Sequence, residues 1–171
     1  EPANYTSGII TSYNSFKFVN GYAEIKARIP AGDGLWPAFW LLNGYYVGWL
    51  PEIDIMEVRG ENPQQIVHSY HRNSATGVQE SDSYLTEVGT YPVGASDGFH
   101  TYGVHWQPGK ITWYIDGVAG PSLEDPRVGY QIMYVIANLA VGGDFNFSPV
   151  DPAAIPASFE IDYIRVYQMK D

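Results

Sequence analysis

The chain has 171 residues, a net charge of −10 and no cysteine. That length suits one domain with a substantial core. The negative charge disfavours nucleic acid and anionic membrane surfaces as partners, and the lack of cysteine removes disulfides, zinc–thiolate sites and thiol catalysis. Aromatic residues reach 15%, with 14 Tyr and 5 Trp; flat rings with polar tips suit sugar faces as well as cores. No run of about 18 apolar residues is present, so no membrane-spanning helix is expected.

In chain order, short β-rich runs alternate with turns. Residues 7–12 and 21–29 come first, and the second alternates clearly, with Tyr22, Glu24, Lys26 and Arg28 opposing Ala23, Ile25, Ala27 and Ile29. Runs at 38–42, 52–58, 65–71, 100–106, 111–115, 131–139 and 159–167 follow. Pro108-Gly109 makes residues 101–115 a hairpin, Asp116-Gly117 marks a further tight turn, and residues 30–34 are another turn cluster. No stretch keeps a helical period for three turns. The pattern predicts an all-β sandwich or barrel over residues 1–171, without repeat or linker. The paired glycines lack the spacing and following helix of a phosphate loop, and no G-x-S-x-G supports a serine triad.

The run Glu52-Ile53-Asp54-Ile55-Met56-Glu57 carries the chemistry. On a strand, Glu52 and Asp54 share one face and Ile53 and Ile55 the other. Glu57, three residues after Asp54, would turn inward unless a β-bulge adds one residue, most simply Met56; Glu57 then rejoins the acids and Val58 the core. Like charges that close raise one another's pKa, which serves acid–base chemistry better than stability. A metal site is the rival use of such acids.

Trp36 and Trp40 share a strand face just upstream, so both can line a groove while Phe39 packs inward. His68 and His71 are three apart on the next strand, a spacing that puts them on opposite faces unless a bulge intervenes; His71 is the one expected at the site. Trp106 and Trp113 are expected to face each other across the 101–115 hairpin, one of them extending a sugar-binding platform.

These residues resemble glycoside hydrolase family 16 in its bulged form, E-x-D-x-x-E. The resemblance extends to residues 5–12 (YTSGIITS), 21–28 (GYAEIKAR), 34–42 (GLWPAFWLL), 99–102 (FHTY), 113–117 (WYIDG), 138–143 (NLAVGG) and 162–167 (DYIRVY), in the family's order. It implies a β-jelly roll of two curved antiparallel sheets, with a polysaccharide in the concave cleft. By the same resemblance Glu52 stands at the nucleophile position, Asp54 at that of the assisting carboxylate and Glu57 at that of the acid/base. Trp36, Trp40, His71, Trp106 and Asn138 are then substrate-binding candidates.

Catalysis is expected to need no cofactor. A structural calcium, with Asp162 as its side-chain ligand, is the one metal the resemblance implies. The chain starts where the family usually has one or two further strands behind it, so a catalytic domain lacking those strands is expected. The function implied is a retaining endo-β-glycosidase acting on β-1,3-glucan or mixed-linkage β-1,3/1,4-glucan. The alternatives are a galactan-cleaving relative and a non-catalytic carbohydrate-binding jelly roll. A retaining pair needs its carboxyl groups roughly 5–5.5 Å apart, close to the spacing of outward neighbours on a strand. Nine Lys and Arg are few for a heavily sulfated galactan. A secreted monomer is expected.

Overall fold

The computed structural model describes residues 4–45, 50–89 and 94–168. Its strands are β1 (Ile9–Thr11), β2 (Gly21–Arg28), β3 (Leu35–Asn43), β4 (Glu52–Val58), β5 (Gln65–Asn73), β6 (Gln79–Glu87), β7 (His100–Gln107), β8 (Lys110–Ile115), β9 (Val118–Glu124), β10 (Met133–Val141) and β11 (Glu160–Tyr167). They form a six-stranded sheet, β1-β10-β3-β4-β5-β6, and a five-stranded sheet, β11-β2-β7-β8-β9. Every pairing is antiparallel. The fold is an all-β jelly-roll sandwich.

Sequence alternation explains the packing. On β2 and just beyond it, Ala23, Ile25, Ala27 and Ile29 are buried. They belong to one core that also holds Phe39 and Leu41 from β3, Ile53, Ile55, Met56 and Val58 from β4, and Tyr102 and Val104 from β7. Burying each large apolar side chain contributes about 1.5–3 kcal/mol against the entropy of ordering the chain. The β8–β9 turn places Asp116 at φ 50° and Gly117 at φ 75°, the two left-handed positions that a tight hairpin requires. Asp116 also accepts a hydrogen bond from the backbone N–H of Thr101 at 2.8 Å, tying that turn to β7.

Two strands, β6 and β9, were not among the expected runs. Both are largely exposed edge strands; β6 is polar and β9 is interrupted by Gly120 and Pro121, so neither carries the apolar alternation that marks a half-buried strand. The tryptophan pair is also corrected. Trp106 lies opposite Ile111 and Trp113 opposite Val104, so the two do not face each other. Trp106 is only 1% exposed and meets Phe18 edge-on at 6.0 Å. It shares its inner face with Tyr102 and Val104, and it fills the core instead of contacting substrate.

Candidate active site

The acid row is built by an irregularity in β4. Against β3, Leu42 pairs with Glu52, Leu41 with Ile53 and Trp40 with Asp54; the pairing resumes with Phe39 opposite Met56 and Ala38 opposite Glu57. Against β5, Asp54 pairs with Ser69 and Glu57 with Val67. The bulge is therefore present, but the residue passed over on the β3 side is Ile55, where Met56 was expected. Ile53, Ile55, Met56 and Val58 are all fully buried. With one residue absorbed, Glu57 returns to the outer face of the six-stranded sheet beside Glu52 and Asp54.

Neighbouring strands supply the surroundings. Trp36 on β3 donates its indole N–H to Glu57 Oε1 at 3.0 Å and stacks on Phe145 at a centroid distance of 4.6 Å. Trp40 donates to Asn138 Oδ1 on β10 at 2.8 Å. His71 on β5 lies opposite Glu52; its Nε2 is 2.9 Å from Asp54 Oδ2 and 3.9 Å from Glu52 Oε1. The other ring nitrogen of His71 is 2.6 Å from Ser81 Oγ on β6. His68 points the other way, into the core, with no exposed surface.

Burial is the main influence on the acids. It raises the pKa of Glu57 to about 8, helped by the charge of Asp54 and opposed by the Trp36 hydrogen bond. Burial also raises Glu52, again with help from Asp54, while His71 pulls it down. Asp54 is raised by burial and eased by its hydrogen bond with Glu52. The three titrate as a set, and neutral pH leaves protons shared among them. Glu52 Oε2 is buried with no hydrogen-bond partner among the described residues. The arrangement can therefore keep one carboxyl protonated beside an ionised neighbour, which general acid catalysis with a carboxylate partner requires.

One ligand atom each from Glu52, Asp54 and His71 lie within 4.8 Å of one another, a grouping that can also hold a cation. Asp162 is the calcium ligand expected from the sequence. It lies exposed on β11 with its carboxylate paired to Lys26 Nζ at 2.8 Å, and among the described residues no cluster of three metal-ligating side chains includes it. Phe145 and Ser81 were not singled out in the sequence. Phe145 lies in the turn that follows Gly142-Gly143, and Ser81 lies on the polar edge strand β6. A cavity of about 630 Å³ lies away from the acids, at the β1 edge, lined by Ile9, Ile10, Leu139 and Phe159 among others.

Residues 2–165 match the family model for glycosyl hydrolases family 16. The chain is 38% identical over 166 residues to the endo-1,3-1,4-beta-glycanase ExsH of Rhizobium meliloti (strain 1021), covering 97% of this chain and 34% of that protein. It is 34% identical to a beta-glucanase of Rhodothermus marinus, covering 98% of this chain and 64% of that protein. Among solved structures it resembles the laminarinase catalytic domain of Thermotoga maritima MSB8 at a TM-score of 0.81 and 29% identity, covering 95% of this chain and 69% of that one. It thus spans about a third of the length of the Rhizobium relative. With the family match running almost end to end and the acid row set on a jelly-roll sheet, the chain belongs to glycosyl hydrolases family 16.

Proposed function

We propose that the protein is a retaining endo-β-glycosidase that hydrolyses β-1,3-glucan or mixed-linkage β-1,3/1,4-glucan by double displacement. The observation that carries this reading is the return of Glu57 to the face of Glu52 and Asp54 through the β4 bulge. Glu52 attacks the anomeric carbon, forming a covalent glycosyl-enzyme as the glycosidic bond breaks. Glu57, held protonated by burial, gives its proton to the departing oxygen, then takes one from the water that releases the sugar. Asp54 shares a hydrogen bond with Glu52 and keeps the two glutamates in different protonation states. His71, with Nε2 2.9 Å from Asp54 Oδ2 and 3.9 Å from Glu52 Oε1, draws the Glu52 pKa down against the push of burial. Trp36 and Trp40, both half-buried on β3, offer apolar faces with N–H groups already bonded to Glu57 and Asn138, which suits stacking on sugar rings.

The named activities of the relatives support glucan over galactan as substrate. A polymer of this kind does not cross membranes unaided, which supports action outside the cell. The test is incubation with laminarin, lichenan and agarose, followed by a reducing-end assay and product sizing. Internal cleavage of laminarin or lichenan is expected. Cleavage of agarose alone would move the substrate to galactans, and cleavage of none would favour a carbohydrate-binding role.

A further inference from the structure

A bulge takes backbone groups out of the sheet ladder, and a buried carbonyl left that way needs another partner. Here the partners come from beneath the acid row. His68 is the β5 residue between Ser69, which pairs with Asp54, and Val67, which pairs with Glu57, so it lies opposite the Ile55–Met56 bulge. Its ring is fully buried, with Nδ1 2.7 Å from the carbonyl oxygen of Ile55 and Nε2 3.0 Å from Thr86 Oγ1. Trp113, from the opposing sheet, donates its indole N–H to the carbonyl oxygen of Asp54 at 2.9 Å. The two rings lie side by side, 5.8 Å apart. Two core side chains thus fasten the consecutive carbonyls just before the point where Glu57 returns to the outer face.

We propose that His68, with Trp113, is a positioning residue for the proton donor: its Nδ1–H fixes the bulged carbonyl of Ile55 and, through it, the placement of Glu57 over the scissile bond. A carbonyl oxygen only accepts, so Nδ1 carries the hydrogen. Burial pushes the His68 pKa down to about 4, so the ring is neutral at working pH and Nε2 accepts from the Thr86 hydroxyl. The Ile55 carbonyl thereby selects the tautomer, and the Thr86 hydroxyl satisfies the bare Nε2 on the other side of the ring. The inference rests on Glu57 acting as the proton donor.

The test turns on which atom carries the N–H. His68→Asn puts an amide N–H near the place of Nδ1, and His68→Gln puts one near Nε2. His68→Gln should lower kcat on polysaccharide by on the order of 10²-fold, as sub-ångström to ångström misplacement does, with KM within about twofold of wild type. The loss should be much smaller on an aryl glycoside with a low-pKa phenol, whose departure needs no proton. His68→Asn should recover most of kcat. Trp113→Phe, which keeps an aromatic ring and deletes the N–H, should show the same substrate-dependent loss, and it decides the matter if His68→Gln does not fold by near-UV circular dichroism. Glu57→Ala is measured in parallel. If Glu57→Ala retains polysaccharide turnover, the assignment of the donor fails. If Glu57→Ala loses turnover while His68→Gln and Trp113→Phe keep wild-type kcat, or if His68→Asn loses as much as His68→Gln, the positioning role is overturned.

Discussion

Trp36 and Glu57 are joined by a 3.0 Å hydrogen bond from the indole N–H to Oε1, so the same tryptophan that presents an aromatic face also sets the acidity of the proposed proton donor. Its hydrogen bond stabilises the ionised carboxylate and opposes the upward push of burial. Trp36→Phe should therefore raise the Glu57 pKa above about 8 and move the alkaline limb of kcat/KM to higher pH. Trp36→Ala also loses the ring, and about 1.5–3 kcal/mol of stacking corresponds to a roughly 10- to 150-fold fall in kcat/KM. Far-UV spectra of both variants should match wild type, and an unmoved alkaline limb in Trp36→Phe would remove the indole from the titration.

His71 acts on the other limb. Its charge lowers the pKa of Glu52, and the nucleophile must be ionised to attack. Removing that charge raises Glu52, so in His71→Ala the acid limb shifts to higher pH and activity at pH 6 falls more than activity at pH 8. A profile whose acid limb stays in place, or moves down, contradicts this assignment.

The proposed donor has a measurable stability cost. The folded-state pKa of Glu57, about 8, lies above the roughly 4.3 of an unfolded glutamate. Native stability from this group is intact at pH 4 and is lost as pH rises toward 8. Glu57→Gln cannot ionise and keeps an oxygen to accept from Trp36. It should match wild type near pH 4 in urea denaturation and exceed it by on the order of 2 kcal/mol at pH 8.5, less than the full linkage because this face meets water. Equal stabilities at both pH values would mean that Glu57 is not held protonated.

The tryptophans divide into two classes that one substitution separates. Trp106 is packed in the core, so Trp106→Ala should destabilise by about 3–5 kcal/mol. Trp36→Ala should lose turnover with little loss of stability. Thermal melts of the two variants, side by side, check the assignment.

Much of this arrangement is legible in the sequence, for physical reasons that also explain what is not. Glu52, Asp54 and Glu57 stand out because carboxylates between buried aliphatics are costly unless chemistry needs them. The three-residue step to Glu57 demands a bulge, but Ile55 and Met56 are equally apolar and nothing local says which is skipped. His68 and His71 separate because β5 runs without a bulge opposite β6, so an odd spacing puts them on opposite faces. Trp106 misleads because an indole suits a sugar as well as a core; only its companions Tyr102 and Val104 betray its face. Strand β6, which brings Ser81 to His71, carries too little apolar alternation to be seen. Phe145 reaches Trp36 from a loop far along the chain, a contact that strand periodicity does not encode.

The most direct test of the division of labour between the two glutamates is the stereochemistry of azide rescue, read by proton NMR. An aryl glycoside with a low-pKa phenol needs no proton donor, so Glu57→Ala should still form its glycosyl-enzyme, accumulate it for want of a base, and release it to azide as the β-glycosyl azide. Glu52→Ala has no nucleophile, should trap no covalent intermediate, and can give at most the α-azide by direct attack. If Glu52→Ala instead accumulates the intermediate and Glu57→Ala yields the α-azide, the roles of the two residues are reversed.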